Sequence, residues 1–142
     1  MAPVARGLAD SFRVIEPFQS ADSTTVAAHV ADLHDVVSSH RASMRPALVG
    51  HSWGAMLALA YAAAHPQAVG PIVLVASGTF DLASRARYAA NMDARMDAGL
   101  RAYLPQLEYV ELERCGHYPW LEKSQLYDFF PLLKSWLARN MR

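Results

Sequence analysis

A chain of 142 residues, 53% of them hydrophobic, fits a single domain spanning 1–142 with material for a sizeable core, and excludes a disordered segment. Thirteen basic residues balance thirteen acidic ones, so there is no basic excess of the kind that binds nucleic acid or an anionic membrane. The single cysteine, Cys115, excludes an internal disulfide and fits a reducing, cytoplasmic compartment.

The start, MAPVARGLADSF, has no long apolar stretch behind a basic end, so no signal peptide is expected. FRVIEPF (12–18) reads as a strand ended by Pro17. Asp22 or Ser23 can cap the following helix, where Val26, Val30, Leu33 and Val37 recur at helical spacing. Pro46 opens ALVG, a short buried strand. From Ser52 to about His65 the chain is rich in alanine and leucine and stops at Pro66, as a helix does. Its apolar stretch, 55–64, is too short to span a membrane. PIVLVAS (71–77) is a continuous apolar run with glycines on both sides, the pattern of a parallel strand covered on both faces. Residues 82–104 read as a helix with Tyr88, Met92, Met96 and Leu100 on one stripe, weakened by Gly99. LEYVELER (107–114) alternates like a strand. The tail from Ser124 to Asn140 is an amphipathic helix that Pro131 should kink or split. This alternation predicts an α/β fold: a three-layer arrangement around a mostly parallel sheet of about four strands.

Gly50-His51-Ser52-Trp53-Gly54 fits G-x-S-x-G, with an apolar strand before it and a strong helix after it. A nucleophile on so sharp a turn has a strained backbone, and side chains two residues to either side would collide with neighbouring elements. The turn also aims N–H groups and a helix N-terminus at the charge that develops in acyl transfer. The competing role for Ser52 is that of a helix N-cap in a glycine-bounded turn.

Residues 47–78 resemble the nucleophile-elbow region of the α/β-hydrolase superfamily, closest in texture to its proline iminopeptidase-like and esterase-like members. ELERCGHYPWLEK (111–123) resembles their C-terminal histidine loop, in which a Gly-His pair follows the last strand. The resemblance implies Ser52 as nucleophile, His117 as general base and the Trp53 N–H as an oxyanion donor. Of the other histidines, His29 and His34 fall on a helix, His40 near its end and His65 before a proline. His51 flanks the nucleophile, with its side chain expected to point elsewhere.

The acid is less directly marked. In most of the family it follows the strand before the histidine strand, in a segment similar to H-G-D-x-D, which is not present here. Asp93 and Asp97 fall in mid-helix, and Asp97 has Arg101 four residues on, which fits a solvated face. Asp81 follows VLVASGTF, at the end of the strand beside the nucleophile strand, where some members carry their acid; it could equally cap the next helix. Glu111 and Glu113 lie on the histidine strand itself and rank lower.

Against the family pattern the chain is short. The strand with a His-Gly-rich oxyanion loop ahead of FRVIEPF is not matched, and the cap and acid-bearing strand look excised near residues 95–101. The implied fold is thus a minimal or truncated α/β-hydrolase, and the apolar surface it leaves should be covered by a second copy of the chain, giving a homodimer. The implied activity is that of a serine hydrolase on a small ester or amide, with no nucleic-acid or membrane partner and neither metal nor organic cofactor. The alternative is a hydrolase-like protein that binds a small molecule or partner without catalysis.

Overall fold

The computed structural model describes residues 1–40, 45–76, 106, 108, 110, 112, 115–122 and 126–141. The chain divides into two compact units, Met1–Ser77 with Cys115–Arg142, and Gly78–Arg114. In the second, Gln106 lies in a turn, and Glu108, Val110 and Leu112 lie in no regular element. The helix expected over 82–104 lies outside the described residues.

The first unit is built around one β-α-β crossover. Strand β1 (Leu48–His51) leads into helix α3 (Trp53–Ala64) and returns as β2 (Ile72–Val75), after helices α1 (Ala2–Leu8) and α2 (Val26–Ser39). The two strands pair in parallel, Leu48 opposite Ile72 and His51 opposite Val75. A parallel pair needs a crossover of a dozen or more residues, and α3 supplies it. That helix carries no charged residue and buries Ala55, Leu57, Ala58 and Tyr61. Tyr61 is fully buried; its hydroxyl meets His34 Nδ1 of α2 at 3.2 Å, which joins the two helices. His34 also stacks on His65, ring centroids 3.9 Å apart.

A final helix, α4 (Leu126–Asn140), follows a 3₁₀ turn at Pro119–Leu121. Phe129, Leu133 and Leu137 form its buried stripe, and Trp120 of the 3₁₀ turn meets Phe129 at 6.0 Å between ring centroids. Helix α1 packs on α4: a Cβ at Gly7 would sit 2.7 Å from Phe130 Cζ. Beside that contact, Lys134 pairs with Asp10 at 2.8 Å.

Three readings change at this point. FRVIEPF forms no strand: residues 13–20 have no regular structure, Ile15 is 42% exposed and Phe18 96%. Alternation shows which side chains could share a face, but a strand exists only where a neighbour completes its ladder; among the described residues, β1 and β2 pair only with each other. The segment is tied instead by the Met1 amine, 2.9 Å from Glu16. The cap of α2 is Thr25, whose hydroxyl accepts from the Ala28 N–H at 3.1 Å. Asp22 and Ser23 sit too far upstream, and the Ser23 hydroxyl donates to Asp32 at 2.6 Å. Pro131 does not split the last helix, which runs unbroken through it; its ring faces solvent, while the buried stripe continues on both sides and outweighs one lost backbone bond. Of the expected mostly parallel sheet, the described residues show two strands, paired in parallel. No helix among them is long and apolar enough to cross a membrane.

Candidate active site

Ser52 sits between the end of β1 and the start of α3 with φ 54° and ψ −117°. A non-glycine residue in this region is strained by roughly 1–3 kcal/mol and persists only where its surroundings hold it. The restraint is visible on both sides. The Ser52 N–H donates to the Val75 carbonyl at 3.0 Å, carrying the ladder one residue past β1, and the Ser52 carbonyl accepts from the Ala55 N–H at 3.0 Å. The side chain makes no capping hydrogen bond. An N-cap serine would use its oxygen to satisfy a first-turn N–H, and this one does not.

The two glycines of the motif are not equivalent. A Cβ on Gly50 would strike the Gly54 carbonyl oxygen and lie 2.6 Å from Ala55 Cα, so the turn closes only around a bare glycine. A Cβ on Gly54 would meet no described atom within 4 Å. Among the described residues, the crowding expected at both positions is found at the first.

Trp53 opens α3, and its N–H has no acceptor among the described residues. The first N–H groups of a helix lack intrahelical partners, so this donor and the positive end of the helix dipole are available at the turn. The Trp53 indole meets His29 of α2 edge to face, centroids 6.1 Å apart. His29 in turn lines a small groove of about 40 Å³ with Phe18, Leu33 and Leu57.

The histidine loop reaches the elbow through a residue whose side chain was expected to point elsewhere. His51 Nε2 lies 2.7 Å from the His117 carbonyl oxygen. A carbonyl only accepts, so Nε2 carries the proton and donates. Around this bond the His51 ring packs on His117, Tyr118 and Trp120 at centroid distances of 4.6, 5.1 and 4.8 Å. Burial holds the His51 pKa below its ordinary value, against the opposing pull of the hydrogen bond to His117. Ser52 and His117, 65 residues apart in the numbering, are thereby carried on two segments that touch. One signal for His51 was present in the sequence: GH at 50–51 and GHYPW at 116–120 both set a histidine at the end of a strand-like run, with aromatic residues to pack it.

Glu122 also belongs to the loop. A Cβ on Gly116 would lie 2.7 Å from Glu122 Oε1, which places this carboxylate against the residue before His117. Burial, and then the charge of Glu122, push the Cys115 thiol pKa up, so the cysteine is kept as the poorly nucleophilic thiol. Asp81, Glu111 and Glu113 lie outside the described residues. No group of three or more potential metal ligands occurs among the described residues.

A family model described as alpha/beta hydrolase fold matches residues 5–118, a span that includes the elbow and His117. Comparison with curated proteins and with solved structures finds no match.

Proposed function

We propose that this chain, which belongs to the alpha/beta hydrolase fold family, is a serine hydrolase cleaving an ester or amide bond of a small substrate through an acyl-enzyme. The observation that carries the reading is Ser52 itself: it is held at positive φ on a strand-to-helix turn, with its hydroxyl unused as a cap. Ser52 Oγ attacks the substrate carbonyl while His117 accepts the hydroxyl proton; the imidazolium then returns that proton to the leaving group. Water, deprotonated by the same imidazole, releases the acid and restores Ser52. The Trp53 N–H stabilises the oxyanion that forms at each attack. Labelling by a fluorophosphonate probe, with the modified residue located by mass spectrometry, tests the reading; a wild-type chain that takes no label would leave the non-catalytic binding protein in its place.

Asp81 is the proposed acid, orienting the His117 tautomer and stabilising its imidazolium. The position of Glu122 over Gly116 favours it as a second candidate. Asp81→Asn is expected to lower short-chain aryl ester kcat by about 10⁴-fold, the scale of a lost triad acid, with Glu122→Gln close to wild type. Turnover unchanged in the first and lost in the second would transfer the role to Glu122.

The single cysteine supports a cytoplasmic, reducing location. A homodimer is supported by α3. A helix apolar on all sides is normally buried on all sides, yet Met56 is 52% exposed and Leu59 43%. Large residues at 56 and 59 and alanines at 60 and 63 make this stripe complementary to itself when two copies meet antiparallel about a twofold axis. Light scattering should then give twice the 15.6 kDa chain mass, and Met56→Glu should return it to one. A wild-type monomer throughout the micromolar range would rule the dimer out.

A further inference from the structure

The geometry points to His51 as the positioning residue that docks the histidine loop on the nucleophile elbow, through donation of its Nε2–H to the His117 carbonyl. This inference rests on the serine hydrolase reading above and extends it to a residue outside the catalytic set.

The elbow and the loop come from distant parts of the chain and belong to no common sheet ladder among the described residues. Among the described residues, the loop meets the elbow strand through the His51 hydrogen bond and the rings around it. His51 is suited to this by its covalent position: it directly precedes Ser52 and ends β1, whose register with β2 is set by Val75 opposite it. Its Cα is fixed in the strand that presents the nucleophile. At its far edge the ring holds the main chain of residue 117, so the bond locates the loop through its backbone. The rings of Tyr118 and Trp120 close around His51, and Trp120 is buried against Phe129 of α4. The loop thus spans between a fixed strand end and the core of the last helix.

The bond specifies one chemical requirement, a donor at the Nε2 position. Burial favours the neutral imidazole, and in that form the carbonyl partner places the proton on Nε2. Glutamine can bring an amide N–H to nearly the same point as Nε2. Asparagine is one methylene shorter and falls short of the carbonyl; phenylalanine keeps the ring contacts and has no donor.

His51→Gln, His51→Asn and His51→Phe in the full chain test the assignment by short-chain aryl ester kinetics and by amide hydrogen exchange at Gly116, His117 and Tyr118. Misplacing a catalytic group by about 1 Å costs roughly 10²-fold. His51→Phe and His51→Asn should therefore lose kcat by about that factor with KM little changed, and exchange should quicken over 116–118. His51→Gln should recover most of kcat and the slow exchange. Should His51→Phe not fold, the contrast between His51→Asn and His51→Gln decides the matter alone. Equal behaviour of the glutamine and asparagine variants, or loss confined to KM, would overturn the assignment. Exchange that follows the donor in a chain without turnover would support the docking role and overturn the hydrolase reading instead.

Discussion

Ser52→Ala is expected to abolish fluorophosphonate labelling and to lower short-chain ester turnover by on the order of 10⁴-fold or more, with little change in thermal stability. Removing the nucleophile of a catalytic triad costs up to about 10⁶-fold, and what remains comes from binding and oxyanion stabilisation. The stability half of the prediction separates the two roles weighed for this residue. A capping serine replaced by alanine costs about 1 kcal/mol. Here the hydroxyl satisfies no first-turn N–H, so alanine removes no cap, and it inherits the same φ of 54° and the same strain. Ser52→Gly gives the complementary result. Glycine visits positive φ freely, so this variant should be as inactive as alanine yet more stable by about 1 kcal/mol, part of the strain stored at the turn. A position at which wild type is both less stable than glycine and necessary for activity is one held for chemistry. Full labelling of Ser52→Ala would remove Ser52 from the mechanism. An alanine variant destabilised like a lost cap, with turnover intact, would make it a structural serine.

What could be read from the sequence and what could not divides along local and non-local physics. The elbow was legible because its determinants lie within a few residues: an apolar run, a glycine where the turn closes, a helix of alanine and leucine. Helix α3 and both strands of the crossover followed from the same short windows. His117 was legible from GHYPW only in combination with the elbow. FRVIEPF failed because a strand is a relation between two segments, and its alternation says nothing about whether the second arrives. Helix α1 was missed for a related reason. APVARGL is too short to be helical alone, and it is stabilised by burying Val4 and Leu8 in contact with α4, far away in the chain. The direction of the His51 side chain was not legible from its place beside Ser52. The side chain leaves the strand end toward residues 117, 118 and 120, a direction set by tertiary contact.

The glycines of the elbow give the sharpest expected contrast. Gly50→Ala should leave little folded, active protein, whereas Gly54→Ala should fold with stability equal to or above wild type by up to about 1 kcal/mol. At position 50 the added methyl would be driven into the Gly54 carbonyl and to 2.6 Å from Ala55 Cα. Both are backbone atoms in the first turn of α3, so no rotamer change relieves the contact. Relief would require β1 and α3 to separate, and with them the packing of buried Ala55 and Ala58 and the placement of Ser52. Overpacking of this kind typically costs about 1–3 kcal/mol where side chains can adjust, and more where they cannot. At position 54 the methyl enters open space among the described residues. Alanine there lowers the entropy of the unfolded chain and favours the helix. Thermal denaturation of the two variants beside wild type reads the contrast directly. Because Gly54 adjoins Trp53, whose N–H is the proposed oxyanion donor, ester turnover in Gly54→Ala adds a separate test. A stable but inactive Gly54→Ala would mean that the second glycine keeps room for the substrate, since no described atom lies within 4 Å of the added methyl. A stable Gly50→Ala would mean that the turn is not closed as tightly as Ser52 at positive φ requires, and the nucleophile reading would lose its structural basis.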